Sequence, residues 1–322
     1  MKRISLLLSC LFITFGYAQQ DVLPSWEEGE NKTSLLNFIY DAQDEASEGY
    51  IAPADRIAVF DNDGTLWAEK PTYVQVFYIF AQVKALAPQH PEWKEQQPFK
   101  AVLENDQATI SKFGEKDLIK LMATTQTGMT EDEFEASVAE WLKTAKNPAT
   151  GMLFTDMTYK PMNELLAAMR AAGFKTYIVS GGGLSFMRPW VESAYGIPRE
   201  QVIGSRIEVV YEKGGVLRRE PKINLIDDKA GKPVGIYQVI GKRPVFAFGN
   251  SDGDLDMLEY TTTGEGARMG FLLHHTDAKR EWAYDRDSSV GKLDKGLDDY
   301  QAMGWKLVDM KNDWVVIYGD LD

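Results

Sequence analysis

Apolar residues in this chain come in short unbroken runs that stop abruptly at small polar or acidic residues. Ile57-Ala58-Val59-Phe60 ends at Asp61-Asn62-Asp63-Gly64. Thr176-Tyr177-Ile178-Val179 ends at Ser180-Gly181-Gly182-Gly183, and Val245-Phe246-Ala247-Phe248 ends at Gly249-Asn250-Ser251-Asp252-Gly253-Asp254. Runs of this kind predict strands buried on both faces, as in a parallel sheet. Between them lie helical patterns. Leu165, Leu166, Ala168 and Met169 share a face over Met162–Ala172, with Gly173 as the stop, and a second helix is expected from Lys232 to Gly241. A helix over 34–48 leads into the first strand, while Met269–Leu273 and Trp314–Tyr318 read as further strands at the sheet edge. The fold class is therefore α/β, a doubly wound, mainly parallel sheet.

The first and second strands are separated by far more chain than a crossover needs. Residues 71–154 carry amphipathic stretches around 73–87, 99–124 and 131–145, which predicts a helical cap inserted after the first strand. The division expected is 1–18 as a signal peptide, 19–70 plus 155–322 as the core, and 71–154 as the cap. Residues 19–33 are polar and read as a linker. At the start, Lys2 and Arg3 precede an apolar stretch from Ile4 to Phe15, and Gly16-Tyr17-Ala18 offers small residues for an export peptidase. Cleavage after Ala18 and a periplasmic location are expected. A second processing reading takes Leu7-Leu8-Ser9-Cys10 as a lipid-attachment pattern. The apolar stretch is short for a membrane span, which needs roughly 20 residues. No other such stretch follows, so no stable span is expected in the mature chain.

Composition adds limits. Among 322 residues, 44% are hydrophobic and 26% charged, ordinary for a globular protein with a sizeable core. The formal net charge of −13, with no Lys/Arg run, argues against a nucleic-acid partner. The single cysteine, Cys10, lies before the expected cleavage point, so no disulfide or cysteine metal site is expected in the mature chain.

The strand ends carry the candidate chemistry, because parallel sheets bind ligands at the carboxyl ends of their strands. Asp61 and Asp63, two residues apart at a tight turn, can be aimed at one phosphorus. Asp61 would attack it and carry the phosphoryl group. Asp63 would protonate the leaving oxygen and later deprotonate a water, with Thr65 hydrogen-bonding Asp63. The bland alternative is a turn rich in Asp, Asn and Gly. Asp61-Asn62-Asp63-Gly64-Thr65-Leu66 resembles the first motif of the haloacid dehalogenase superfamily phosphatases, in the phosphoserine-phosphatase-like branch with a helical cap. The resemblance covers about 50–70 and 155–275.

That resemblance implies further roles. Ser180 and the Gly181 N–H would hold phosphate oxygens. Lys232 would hold nucleophile and phosphate, with Lys229 and Lys222 as rivals. Asn250 and Asp254 would serve a Mg2+ ion together with Asp61 and the Asp63 carbonyl. Asn250 departs from the family's usual Asp, which removes one negative charge, and Asp252 is one register away from Asp254. Trp67 and Glu69 can face the cap or simply pack. His274 or His275, and Arg286 or Lys292, are secondary candidates for the pocket. The expected activity is Mg-dependent hydrolysis of small phosphate monoesters through an aspartyl-phosphate. The alternatives are phosphoryl transfer to an alcohol, or a silent phosphate- or metal-binding protein.

Overall fold

The computed structural model describes residues 21–319; the expected signal peptide and Cys10 lie outside them. The strands are β1 (Ile57–Phe60), β2 (Lys175–Gly183), β3 (Val202–Glu212), β4 (Val216–Leu225), β5 (Phe246–Gly249), β6 (Met269–Thr276), β7 (Ala283–Tyr284) and β8 (Lys306–Asp309). They form one sheet in the order β4-β3-β2-β1-β5-β6-β7, with β8 also paired to β6. The interior pairings are parallel; β3–β4 and β6–β7 are antiparallel. β1 and β5 are buried throughout. Their side chains alternate between two cores, as a pleated strand covered on both faces requires. Ala58, Phe60, Phe246 and Phe248 enter the larger core; Val59 and Ala247 enter the core beneath the helices Gly231–Ile240 and Leu255–Thr262. Among the described residues no helix is long and apolar enough to cross a membrane.

Between β1 and β2 the insert forms the helices Val74–Leu86, Phe99–Glu104, Gln107–Ile110, Glu115–Gln126 and Glu131–Leu142, and the helix Lys160–Ala171 then leads into β2. The amphipathic pattern over 99–124 is thus broken: Asn105 takes a left-handed conformation that ends one helix, Asp106 caps the short helix Gln107–Ile110, and Gly114 precedes Glu115–Gln126. Part of the insert has its own core, with Ile79, Val83, Trp93, Phe99, Val102 and Leu121. Tyr78, Phe134, Val138 and Leu142, however, join the main core, so the insert is fused to the sheet's helices along one side.

Several expectations are corrected. Residues 21–33 do not form a free linker: Leu23 and Trp26 are buried, and Ser25 hydrogen-bonds Glu164 through its N–H and its hydroxyl. The first helix runs Glu30–Asp41, earlier than expected. Trp314–Tyr318 is not a strand. Asp309 caps the short helix Met310–Asp313 and ends β8, and Trp314 turns inward to pack edge-on against Trp26 at 5.8 Å. The β3–β4 hairpin is unforeseen and meets the insert: Arg219 donates its N–H to Met129 and accepts from the N–H of Gly128.

Candidate active site

β2, β1 and β5 lie side by side in the sheet, so their carboxyl ends bring Ser180, Asp61 and Asn250 to one edge. After β1 the chain turns sharply at Gly64, whose φ is 78°. A Cβ there would fall 2.1 Å from the Asn250 amide nitrogen and 2.4 Å from Glu69, so only glycine fits. This turn sends Thr65 back beneath Asp61. Its hydroxyl donates to Asn250 Oδ1 at 3.1 Å and sits 3.4 Å from Asp61 Oδ2. The expectation that Thr65 holds Asp63, or touches phosphate, is therefore corrected: Thr65 is fully buried and does not line the cavity. Asp63 is held instead by Trp67, whose indole N–H donates to Asp63 Oδ1 at 2.8 Å. Trp67 is fixed in turn by stacking on Trp190 at 4.2 Å.

Lys232, at the start of its helix, is 2% exposed. Its ammonium donates to Asp61 Oδ1 at 2.6 Å, Asp254 Oδ1 at 2.5 Å and the Val179 carbonyl at 2.9 Å. Burial alone would lower the Lys232 pKa, but Asp254 and Asp61 more than offset it, and Lys232 stays charged. The rivals lie elsewhere. Lys222 pairs with Glu208 on the exposed hairpin, and Lys229 is exposed. Asp254 Oδ2 accepts the N–H groups of Asn250 and Ser251, so Asp254 clamps both the loop and Lys232. Asp252 turns away and accepts the N–H groups of Asp294, Lys295 and Gly296.

Ser180 sits within β2, where the register shifts between Ser180 and Gly183, so the strand runs on past the expected end. Its Oγ accepts the Gly182 N–H at 3.0 Å. Ser180 and Gly181 line the same cavity as Asp61, Asp63, Lys232 and Asp254. Gln75, on the insert's first helix, accepts the Gly183 N–H at 2.8 Å and ties the insert to this loop.

Residues 58–259 match the family model of the haloacid dehalogenase-like hydrolases. The chain belongs to that family. Among solved structures, a conserved, functionally unknown protein from Anaerococcus prevotii DSM 20548 aligns over 79% of this chain and 87% of its own, with 16% identity and a TM-score of 0.54. A protein of unknown function from Bordetella pertussis Tohama I aligns over 79% and 98%, at 18% identity and a TM-score of 0.48. A probable phosphoserine phosphatase from Vibrio cholerae aligns over 77% and 64%, at 15% identity and a TM-score of 0.38. At these identities the likeness to the Anaerococcus structure is one of fold. No curated protein matches the chain.

The site is acidic on one side. Glu69 is buried, and its Oε1 accepts from Asn250 Nδ2 at 2.8 Å and from the Tyr284 hydroxyl at 2.7 Å. An aspartate at position 250 would set two carboxylates against each other, so Asn250 and Glu69 are mutually consistent. Burial raises Asp61 well above the usual carboxylate range, with repulsion from Asp254 adding and Lys232 opposing. Burial also raises Asp63, opposed by the Trp67 hydrogen bond, and raises Glu69 well above its ordinary value. Sequence reasoning noticed Trp67 and Glu69 without a role; it missed Gln75 entirely. His275 is a buried, satisfied residue, its ring bonded to Gly64 O at 2.8 Å and Glu281 at 3.2 Å. His274 faces Asp285 at 3.3 Å, Arg286 pairs with Asp294 and Asp298, and Lys292 pairs with Asp294. None of these four lines the cavity.

A divalent cation fits the chemistry of this donor set. No three or more acidic, His or Cys side chains converge on one point among the described residues. Asp61, the Asp63 carbonyl and Asn250 Oδ1 offer only hard oxygen donors, beside an excess of buried carboxyl groups around one lysine. Magnesium binds with few protein ligands and keeps several waters. Asp254 lies beside this set, with Oδ1 on Lys232 and Oδ2 on the loop N–H groups.

Proposed function

We propose that this protein is a Mg-dependent phosphomonoesterase acting on small phosphate esters, with Asp61 as the nucleophile. The observation that carries this reading is Lys232, whose buried ammonium joins Asp61 to Asp254 in the cavity that Asp63 and Ser180 also line. Asp61 attacks phosphorus as the bond to the leaving oxygen breaks, and the Asp63 proton passes to that oxygen. A raised Asp63 pKa suits a general acid. Water then attacks the aspartyl-phosphate and gives a proton to Asp63, releasing phosphate and freeing Asp61. Ser180, the Gly181 N–H and Lys232 hold the phosphoryl oxygens. Asp61, the Asp63 carbonyl and Asn250 would hold Mg2+, which supplies charge neutralisation at the phosphoryl group when bound. The insert 71–154 acts as a substrate-selecting cap, and export follows from the leader at 1–18.

The test is phosphate release from alkyl phosphates by the purified protein with Mg2+ or with chelator. Release should need Mg2+ and should fall at least about 1,000-fold in Asp61→Asn, as expected for loss of a covalent nucleophile. Undiminished turnover by that variant excludes Asp61 as nucleophile.

A further inference from the structure

The cavity at Asp61 has a volume of about 520 Å³ and extends well beyond the phosphate position, between the insert and the β3–β4 hairpin. Its far part is walled by apolar side chains. Ile79, Ile119, Met122 and Phe134 come from the insert's helices, and Ile207 and Ile223 from the hairpin. The acidic groups all lie at the phosphate end. The cations that border the far part are Arg206 and Arg219. Arg219 is already paired with Glu131 at 2.8 Å and lies over the Phe134 ring at 3.8 Å. Arg206 is bonded to Gln238 at 2.7 Å.

From this arrangement, and resting on the phosphatase reading above, we propose that the leaving group is an apolar alcohol, aliphatic or aromatic, and not a charged amino acid. A serine leaving group would bring an ammonium and a carboxylate into the cavity and leave its apolar far part unfilled. The apolar wall offers the ammonium no carboxylate, and Arg219 is already neutralised by Glu131. Charged groups buried without partners are strongly disfavoured, whereas each methylene moved from water into an apolar pocket is favoured by roughly fourfold in binding. The apolar wall therefore selects chain length. Arg219 Nε and Gln126 Nε2 are buried without a partner among the described residues. Arg206 Nε is buried without a partner among them as well.

Ethyl, butyl and hexyl phosphate share the same kind of unactivated alkoxide leaving group, so their intrinsic reactivities are matched. With the full-length protein and Mg2+, kcat/KM should climb roughly two- to fourfold per added methylene along that series. Butyl phosphate should exceed O-phosphoserine at least tenfold. Met122→Asp should flatten the hexyl-to-ethyl ratio. A flat or falling series in the wild-type protein, or a preference for O-phosphoserine over butyl phosphate, overturns the proposal and leaves the phosphatase reading intact. If none of the esters is hydrolysed, the phosphatase reading itself falls and takes this inference with it.

Discussion

Lys232 is the residue on which the site's electrostatics balance. Its ammonium sits between two carboxylates with almost no access to water. Removing one member of such a group leaves the others charged and unpaired. Lys232→Met should therefore destabilise the fold by about 3–5 kcal/mol, read from urea unfolding, in addition to abolishing activity. An unchanged unfolding midpoint would show that Asp61 and Asp254 do not depend on it. Asp61, Asp63, Ser180, Lys232 and Asp254 line one cavity, and that grouping was legible because every one follows an apolar run or starts a helix beside one. Thr65 was misassigned because spacing along the chain says nothing about which way a positive-φ turn throws the next side chain. Trp67 binds Asp63 only through a four-residue loop closure, and Glu69 meets Asn250 across 181 positions, so neither contact leaves a local trace.

At the level of elements, the buried strands β1, β2 and β5 were readable, since unbroken apolar runs reflect burial on both faces. The β3–β4 hairpin was not. Val209, Val210, Tyr211 and Leu217 are exposed; the first three run together and Leu217 is followed by Arg218-Arg219-Glu220, without the clean alternation that marks a half-buried strand. Its place is fixed by partners far away in the chain. Arg219, 4% exposed, anchors it to the insert through Glu131, Gln126 and two backbone hydrogen bonds. Glu131→Ala should cost about 1–3 kcal/mol by leaving that guanidinium short of its charged partner. It should also make the hairpin more susceptible to limited proteolysis. Unaltered thermal unfolding and cleavage would contradict the anchoring role.

For the whole molecule, Asp227 links stability to pH. It is fully buried, both carboxyl oxygens lack a partner among the described residues, and burial pushes its pKa up to about 7 from an ordinary 3.8. Below the ordinary value both folded and unfolded chains hold this proton. Between about 3.8 and about 7 only the folded chain holds it, so unfolding releases it and stability falls as pH rises through that window. Above it the loss is complete and amounts to a few kcal/mol. Asp227→Asn should remove this slope, so that the variant gains on the wild type between pH 5 and pH 8 in thermal unfolding. Parallel curves for the two proteins would mean that Asp227 is ionised in the fold at the lower pH.

The central claim concerns one covalent bond, between Asp61 and phosphorus. Rapid acid quenching during turnover of an alkyl phosphate, followed by peptide mass mapping, looks for that bond directly. The peptide containing Asp61 should carry the added mass of a phosphoryl group in the wild-type protein, with none in Asp61→Asn. Turnover with the phosphoryl group on another residue, or with no phosphorylated peptide at any quench time, would contradict the account.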